Sequence, residues 1–201
     1  MLFKASAICF AVFLLLFAGV EMNVFAWMDN RAFSVFEAFT GLKEFSFLGS
    51  EIVLGTISII LVVLLTWKRH IYGVMAVLTS VAGGNVLNKW LKEAVGRERP
   101  PFNHGEDGLS FVSGHAMLGL IVYLLICYFL LSFSNRDITQ RIGYAAAIVL
   151  AGLAGFSRVA ERAHYLSDVL AGFSLGAAIF FLTVAVLEKW SPAHQLARIR
   201  A

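Results

Sequence analysis

Of the 201 residues, 59% are hydrophobic and only 14% are charged, against roughly a quarter charged in soluble domains. That balance excludes a soluble enzyme and predicts one membrane-embedded domain, residues 1–201, with an all-α fold of six transmembrane helices. The formal charge of +3 does not indicate nucleic acid, because the basic residues sit in short segments between apolar runs, as caps on membrane helices do.

The first predicted span runs from Ala5 to Val20. Lys4 and the later Phe25-Ala26 resemble parts of a signal peptide, but the apolar run is long and lacks an A-x-A site, so a retained helix is expected. The stretch from Glu21 to Glu44 mixes aromatics with charges and predicts an amphipathic helix at the interface. The second span is Phe47 to Trp67, closed by Lys68-Arg69-His70, and the third is Ile71 to Leu91, polar at Asn85, Asn88 and Lys89. A polar loop, Lys92 to Val112, leads to the fourth span, Ser113 to Phe133, which Ser134-Asn135-Arg136-Asp137 breaks. The fifth span is Ile142 to Phe156 and the sixth Asp168 to Leu187, before an Arg-bearing tail. Gly172-x3-Gly176 and Ala151-Gly152-x2-Gly155 have the spacing of close helix packing. Cys9 and Cys127 lie inside apolar runs without metal-site spacing and are expected to be free, buried thiols.

Six spans put both termini on one side. Lys and Arg number eight on that side and eight on the other. Setting aside Lys92, Arg99 and Arg158, which site chemistry would retain regardless of topology, leaves eight against five and favours cytoplasmic termini.

Three clusters carry the chemistry: Lys92-x6-Arg99-Pro100, Ser113-Gly114-His115 and Ser157-Arg158-x5-His164-x3-Asp168. All three fall at span ends that share one face of the membrane, and ionisable residues are costly to keep there without a function. Arg99 and Arg158 can each bind a phosphate bidentately and Lys92 adds a point charge, although each alone reads equally well as an interfacial anchor. Ser113 and Gly114 open a helix whose amides favour an anion; Ser113 also reads as a plain N-cap. His164 precedes Asp168 by four residues, so a helical turn gives them one face. A carboxylate on one ring nitrogen leaves the other free to attack phosphorus. Asp168 reads also as the N-cap of the sixth helix. His115, beside the amides and without a nearby carboxylate, suits a general acid for the leaving oxygen and then a base for water. His104, Glu106 and Asp107 read first as solvated loop residues and otherwise as shaping a headgroup pocket, Arg97 and Arg162 as contacts to substrate or membrane, and Glu161 as a balance for neighbouring arginines. No H-x-x-x-H, H-E-x-x-H or acidic cluster suggests a metal, so neither metal nor other cofactor is expected.

These motifs resemble the three-part signature of the type 2 phosphatidic acid phosphatase superfamily, and the six-span layout extends the resemblance over nearly the whole chain, with a motif-bearing core at 89–188. The resemblance implies a helical-bundle core, a phosphohistidine on His164, His115 as acid and Asp168 orienting His164. It assigns Lys92, Arg99, Ser113, Gly114 and Arg158 to phosphate binding and places the site on the extracytoplasmic face of a multi-pass cell-membrane protein. One position departs: Val112 stands where the middle motif usually begins with proline. Small bacterial members with six spans resemble the phosphatidylglycerophosphatase B type or undecaprenyl diphosphate phosphatases. The implied partners are a membrane lipid phosphate as substrate and the bilayer, with no nucleic acid and no obligatory protein partner. Expected substrates are phosphatidylglycerophosphate, phosphatidic acid or undecaprenyl diphosphate. A vanadate haloperoxidase is disfavoured because those enzymes are soluble, and a lipid or ion transporter because neither internal repeats nor interrupted midplane spans are evident.

Overall fold

The computed structural model describes residues 1–102, 105–131 and 137–190. These residues form helices and no strand: α1 (Leu2–Glu21), α2 (Ala26–Glu37), a 3-10 helix (Thr40–Gly49), α3 (Glu51–Trp67), α4 (Ile71–Val95), α5 (Gly114–Leu131), α6 (Asp137–Ala160) and α7 (Leu166–Trp190). Five of them are long and apolar enough to cross a membrane. The sixth span exists only if the 3-10 helix and α3 are taken together, and they meet at a 42° bend.

That bend corrects the straight second span expected from Phe47. The 3-10 helix ends at Gly49, and Ser50, in extended conformation, caps α3 by accepting a hydrogen bond from Val53 N at 3.3 Å. α4 and α6 outrun their apolar stretches. α4 continues to Val95, and α6 takes in Asp137 and Arg158 at its ends. The amphipathic stretch is shorter than expected, 12 residues in α2, and its inner face buries Asp29, Ala32 and Phe33. Cys9 and Cys127 are free but only half-buried, since the helices carrying them turn part of that face outward. His104, the break Ser134-Asn135-Arg136, Phe133 and the arginine tail lie outside the described residues.

α5 is the centre of the bundle. It packs on α6 and α7, and residues such as Met117, Ile121 and Leu125 are fully enclosed. α1 lies along α7, tied by the Ser6 hydroxyl donating to the Ala178 carbonyl at 2.8 Å. Its other face, including Ile8 and Leu15, is exposed, as lipid-facing apolar residues are. The small-residue spacing on α7 has a direct structural use. A Cβ on Gly172 would stand 2.8 Å from the Ser113 carbonyl oxygen, and one on Gly176 2.7 Å from that of Met117. Only glycine lets the start of α5 settle onto α7.

Candidate active site

Two connections, α4 to α5 and α6 to α7, deliver the three motifs to one end of the bundle. α4 stops at Gly96, whose φ of 65° is the left-handed cap that favours glycine; Lys92 stands in its last turn. The chain then leaves as the loop carrying Arg97, Arg99 and Glu106. Val112 and Ser113 are fully buried at the start of α5, where the Asn88 side-chain amide donates to the Val112 carbonyl at 3.0 Å. The Ser113 N–H donates to the Asp168 carbonyl at 3.2 Å, which joins the second motif to the third. α6 ends in a tight turn in which the Arg158 carbonyl accepts from Ala163 N at 3.0 Å and His164 N at 3.2 Å. The third motif is thus held together by its own backbone.

Ser113 occupies the cap position of α5, yet its buried Oγ makes no hydrogen bond, so it is not a side-chain cap. The first intrahelical bond runs from Met117 N to the Ser113 carbonyl, which leaves the amides of Gly114, His115 and Ala116 at the helix start without intrahelical acceptors. Asp168 is not an N-cap. It is the third residue of α7, and Oδ2 reaches back to accept from the Tyr165 N–H at 3.0 Å, one half of a capping box.

His164 lies in the turn before α7 and is 2% exposed. Arg99 Nη1 stands 3.2 Å from its Nε2 and donates to the Ala163 carbonyl at 2.8 Å. A guanidinium can only donate, so Nε2 carries the lone pair and the proton belongs on Nδ1. Nδ1 faces Asp168 Oδ2 at 3.5 Å, an ion-pair distance without a hydrogen bond. Burial pushes the His164 pKa down to about 4; Asp168 opposes the shift, while Arg99 and Lys92 reinforce it. The imidazole is therefore neutral near pH 7, as a nucleophile must be.

Glu106, the loop acid read either as solvated or as shaping a headgroup pocket, lines the cavity and bridges two arginines. Oε2 is 3.1 Å from Arg99 Nη2, and Oε1 pairs with Arg158 Nη2. Burial alone would raise its pKa, but Arg158 and Arg99 outweigh burial and hold the carboxylate below its ordinary range. Arg158 Nη1 also donates to Ser46 Oγ at 2.8 Å and pairs with Glu161, whose pKa burial raises. Glu161 thus balances Arg158 as expected from sequence. Arg162 pairs with Glu37 at 3.0 Å and lies over the Phe102 ring. Arg97 pairs with Asp168 at 2.5 Å and with Asp29 at 2.8 Å. Asp29 was missed in the sequence, where nothing marks it apart from its aromatic neighbours.

Among the described residues, four buried side-chain polar atoms lack a hydrogen-bond partner: Arg99 Nε, Arg158 Nε, Ser113 Oγ and His164 Nδ1. All belong to residues that the sequence singled out. Lys92, Arg99, Gly114, His115 and His164 line one cavity of about 700 Å³. The cavity continues between α3 and α4 along Leu54, Ile59, Val63, Val77, Leu78 and Val81. A polar end with oriented donors and an apolar channel of this kind suit an anionic headgroup on a lipid tail. No group of three or more His, Cys, Asp or Glu residues suited to a metal ion occurs among the described residues.

Comparisons with known proteins agree with this architecture. The PAP2 superfamily profile matches residues 73–192. Phosphatidylglycerophosphatase B of Bacillus subtilis is 34% identical over 195 residues, 90% of this chain and 93% of that protein. Lipid A 1-phosphatase of Rhizobium etli is 31% identical over 124 residues, 59% of this chain and 52% of that protein. The crystal structure of a transmembrane PAP2 type phosphatidylglycerolphosphate phosphatase from Bacillus subtilis is 30% identical and superposes with a TM-score of 0.85, over 94% of this chain and 98% of that one. A membrane bundle with this profile, and near-complete coverage of a relative at such identity, places the chain in the PAP2 superfamily as a membrane lipid phosphatase.

Proposed function

We propose that the protein removes the terminal phosphate of a membrane lipid through a phosphohistidine on His164, with phosphatidylglycerophosphate as its leading substrate. The observation that carries this reading is the set of unbonded buried donors, Arg99 Nε–H, Arg158 Nε–H and Ser113 Oγ–H, together with a neutral imidazole that Arg99 contacts directly. Lys92 and the amides from Gly114 onward complete the phosphate cradle, and the apolar channel takes the acyl chains. His164 Nε2 attacks phosphorus as the bond to the lipid oxygen breaks. His115 gives that oxygen its proton. Water then attacks the phosphohistidine, His115 takes its proton, and the N–P bond breaks to free phosphate. Asp168 faces Nδ1 and stabilises the positive charge on the ring.

No residue in this scheme requires a metal, a cofactor or a protein partner, so the purified chain should work in excess EDTA and be inhibited by vanadate. The termini are assigned to the cytoplasm and the site to the extracytoplasmic face.

The test uses His115→Ala with two substrates. A lipid alkoxide leaves poorly without a proton, whereas p-nitrophenolate leaves readily. The variant should stop on the lipid, yet give a burst of nitrophenol approaching one per enzyme and an acid-labile phosphoenzyme. His164→Ala should give no burst. Equal loss with both substrates and no trapped phosphoenzyme in His115→Ala would overturn the assignment. Phosphate release from phosphatidylglycerophosphate, phosphatidic acid and undecaprenyl diphosphate, compared by kcat/KM, decides the substrate. A clear preference for the diphosphate would favour a role in lipid-carrier recycling.

A further inference from the structure

We infer that Asp29 and Arg97 are positioning residues for the reacting histidine, acting through Asp168; this rests on His164 being the nucleophile.

Asp168 is fully enclosed and meets His164 with only one of its oxygens. Oδ2 faces Nδ1 and accepts from Tyr165 N, whereas Oδ1 accepts from Arg97 Nη1 at 2.5 Å. The guanidinium therefore fixes the plane of the carboxylate. Arg97 is itself fixed. It lies 4.0 Å from the Tyr165 ring centroid, and Nη1 also donates to Ser167 Oγ at 2.8 Å. Nη2 donates to Asp29 Oδ2 at 2.8 Å. Asp29 is 1% exposed and binds the start of α7 as well, accepting from Ser167 N at 2.8 Å and Ser167 Oγ at 2.7 Å. Both hydrogen-bonding faces of Asp29 are thus directed at the segment that carries His164 and Asp168.

The charge count explains why a second carboxylate is needed. Lys92 of α4 and Arg99 of the loop bear on His164 and line one cavity with it and with His115 of α5, while Arg158 of α6 bears on His115. Glu106 and Asp107 of the loop face Arg99, and Glu106 and Glu161 pair with Arg158. Phosphoryl transfer to Nε2 leaves the ring positively charged while Nδ1 keeps its proton. Asp168 paired with Arg97 alone would be neutral and could offset none of that charge. Asp29 makes the group two carboxylates against one guanidinium, which leaves one net negative charge beside Nδ1.

The experiment measures kcat, KM and the acid side of the pH–activity profile with a lipid substrate. Asp29→Asn keeps the shape and removes the charge. It should lower kcat about a hundredfold with KM nearly unchanged, and move the acid limb to lower pH because the imidazolium loses support. Arg97→Gln leaves two buried carboxylates uncompensated. It should also lower kcat, but move the acid limb to higher pH. The double variant restores the net charge and should return the limb towards its original position. Loss of packing alone would not shift the limb in opposite directions. Wild-type kcat and profile for Asp29→Asn, or shifts of the same sign in both single variants, would overturn the inference. If Arg97→Gln does not fold, Arg97→Lys replaces it: the limb should stay in place while kcat falls, and a shifted limb would overturn the inference. Activity retained in His164→Ala would instead remove the reading beneath, an outcome distinct from a silent Asp29.

Discussion

Arg97, which holds Asp168, and Arg99 and Arg158, which share Glu106, all lie only a few residues or one helical turn from the motif core, yet they complete their hydrogen bonds differently. Arg97 is closed by carboxylates of the protein that are 0% and 1% exposed, and has no buried side-chain nitrogen left without a partner. Arg99 and Arg158 each keep an unbonded, buried Nε and share Glu106, which is 36% exposed. An arginine whose fork is filled by enclosed acids holds other residues in place. One whose partner is a displaceable surface carboxylate is prepared for an anion from outside. Breaking the first set should therefore change kcat, and breaking the second should change substrate binding as well.

The sharpest break is Asp168→Asn, which removes the link between the Arg97 group and His164. The amide can present its N–H to Nδ1 and favour the wrong tautomer, so kcat should fall by about 10³–10⁴ with KM little changed. Trapping of phosphoenzyme at the wild-type rate in this variant would show that Asp168 does not orient the nucleophile. Next comes Arg158→Lys. A point charge cannot serve both the phosphate and Glu161, so kcat/KM should drop by about 10²–10³, with a clear rise in KM. A KM equal to wild type would place Arg158 with Arg97 as a purely internal support.

How far the sequence revealed this contrast depends on how local each contact is. The third motif was legible because His164 and Asp168 meet within one turn, and because Arg158 binds the His164 amide through its own carbonyl. Gly172-x3-Gly176 was legible as a packing device, though not as the feature that seats Ser113 beside Asp168. Asp29 was illegible, since its partners are 68 and 138 residues away and its local stretch reads as an interfacial helix. Glu106 looked like any loop acid because nothing in the sequence says that the loop folds back over Arg158. The bend before α3 did leave a trace. Ser50-Glu51 is a capping residue followed by an acid inside an otherwise apolar run, and its signal was outweighed by the hydrophobicity on either side.

The pH dependence follows from His164. Its folded pKa of about 4 lies below the ordinary histidine value of 6.5, so the unfolded chain takes up the proton more readily. The stability this group contributes is complete above about pH 6.5 and is lost as pH falls from there towards 4. Thermal midpoints of the wild type should drop over that window, and those of His164→Ala should drop less. Parallel curves for the two proteins would mean that His164 does not stay neutral in the folded state.

The smallest expected effect belongs to Glu106, and it tests the other half of the comparison directly. Its carboxylate oxygens occupy Arg99 and Arg158, where the proposed mechanism puts two phosphate oxygens, so on that mechanism an incoming headgroup displaces them. Glu106→Gln keeps the size and lowers the competing charge. Because Glu106 is more than a third exposed, solvent screens the pair, and the gain in substrate binding should be modest. KM and the inhibition constant for vanadate should each fall about two- to fivefold, with kcat nearly unchanged, and the difference should shrink in high salt. The same substitution at Asp29 should have the opposite profile, a lower kcat at constant KM. A rise in KM on Glu106→Gln would show that the carboxylate helps to hold the headgroup, and the two sets of arginines would then differ in exposure but not in purpose.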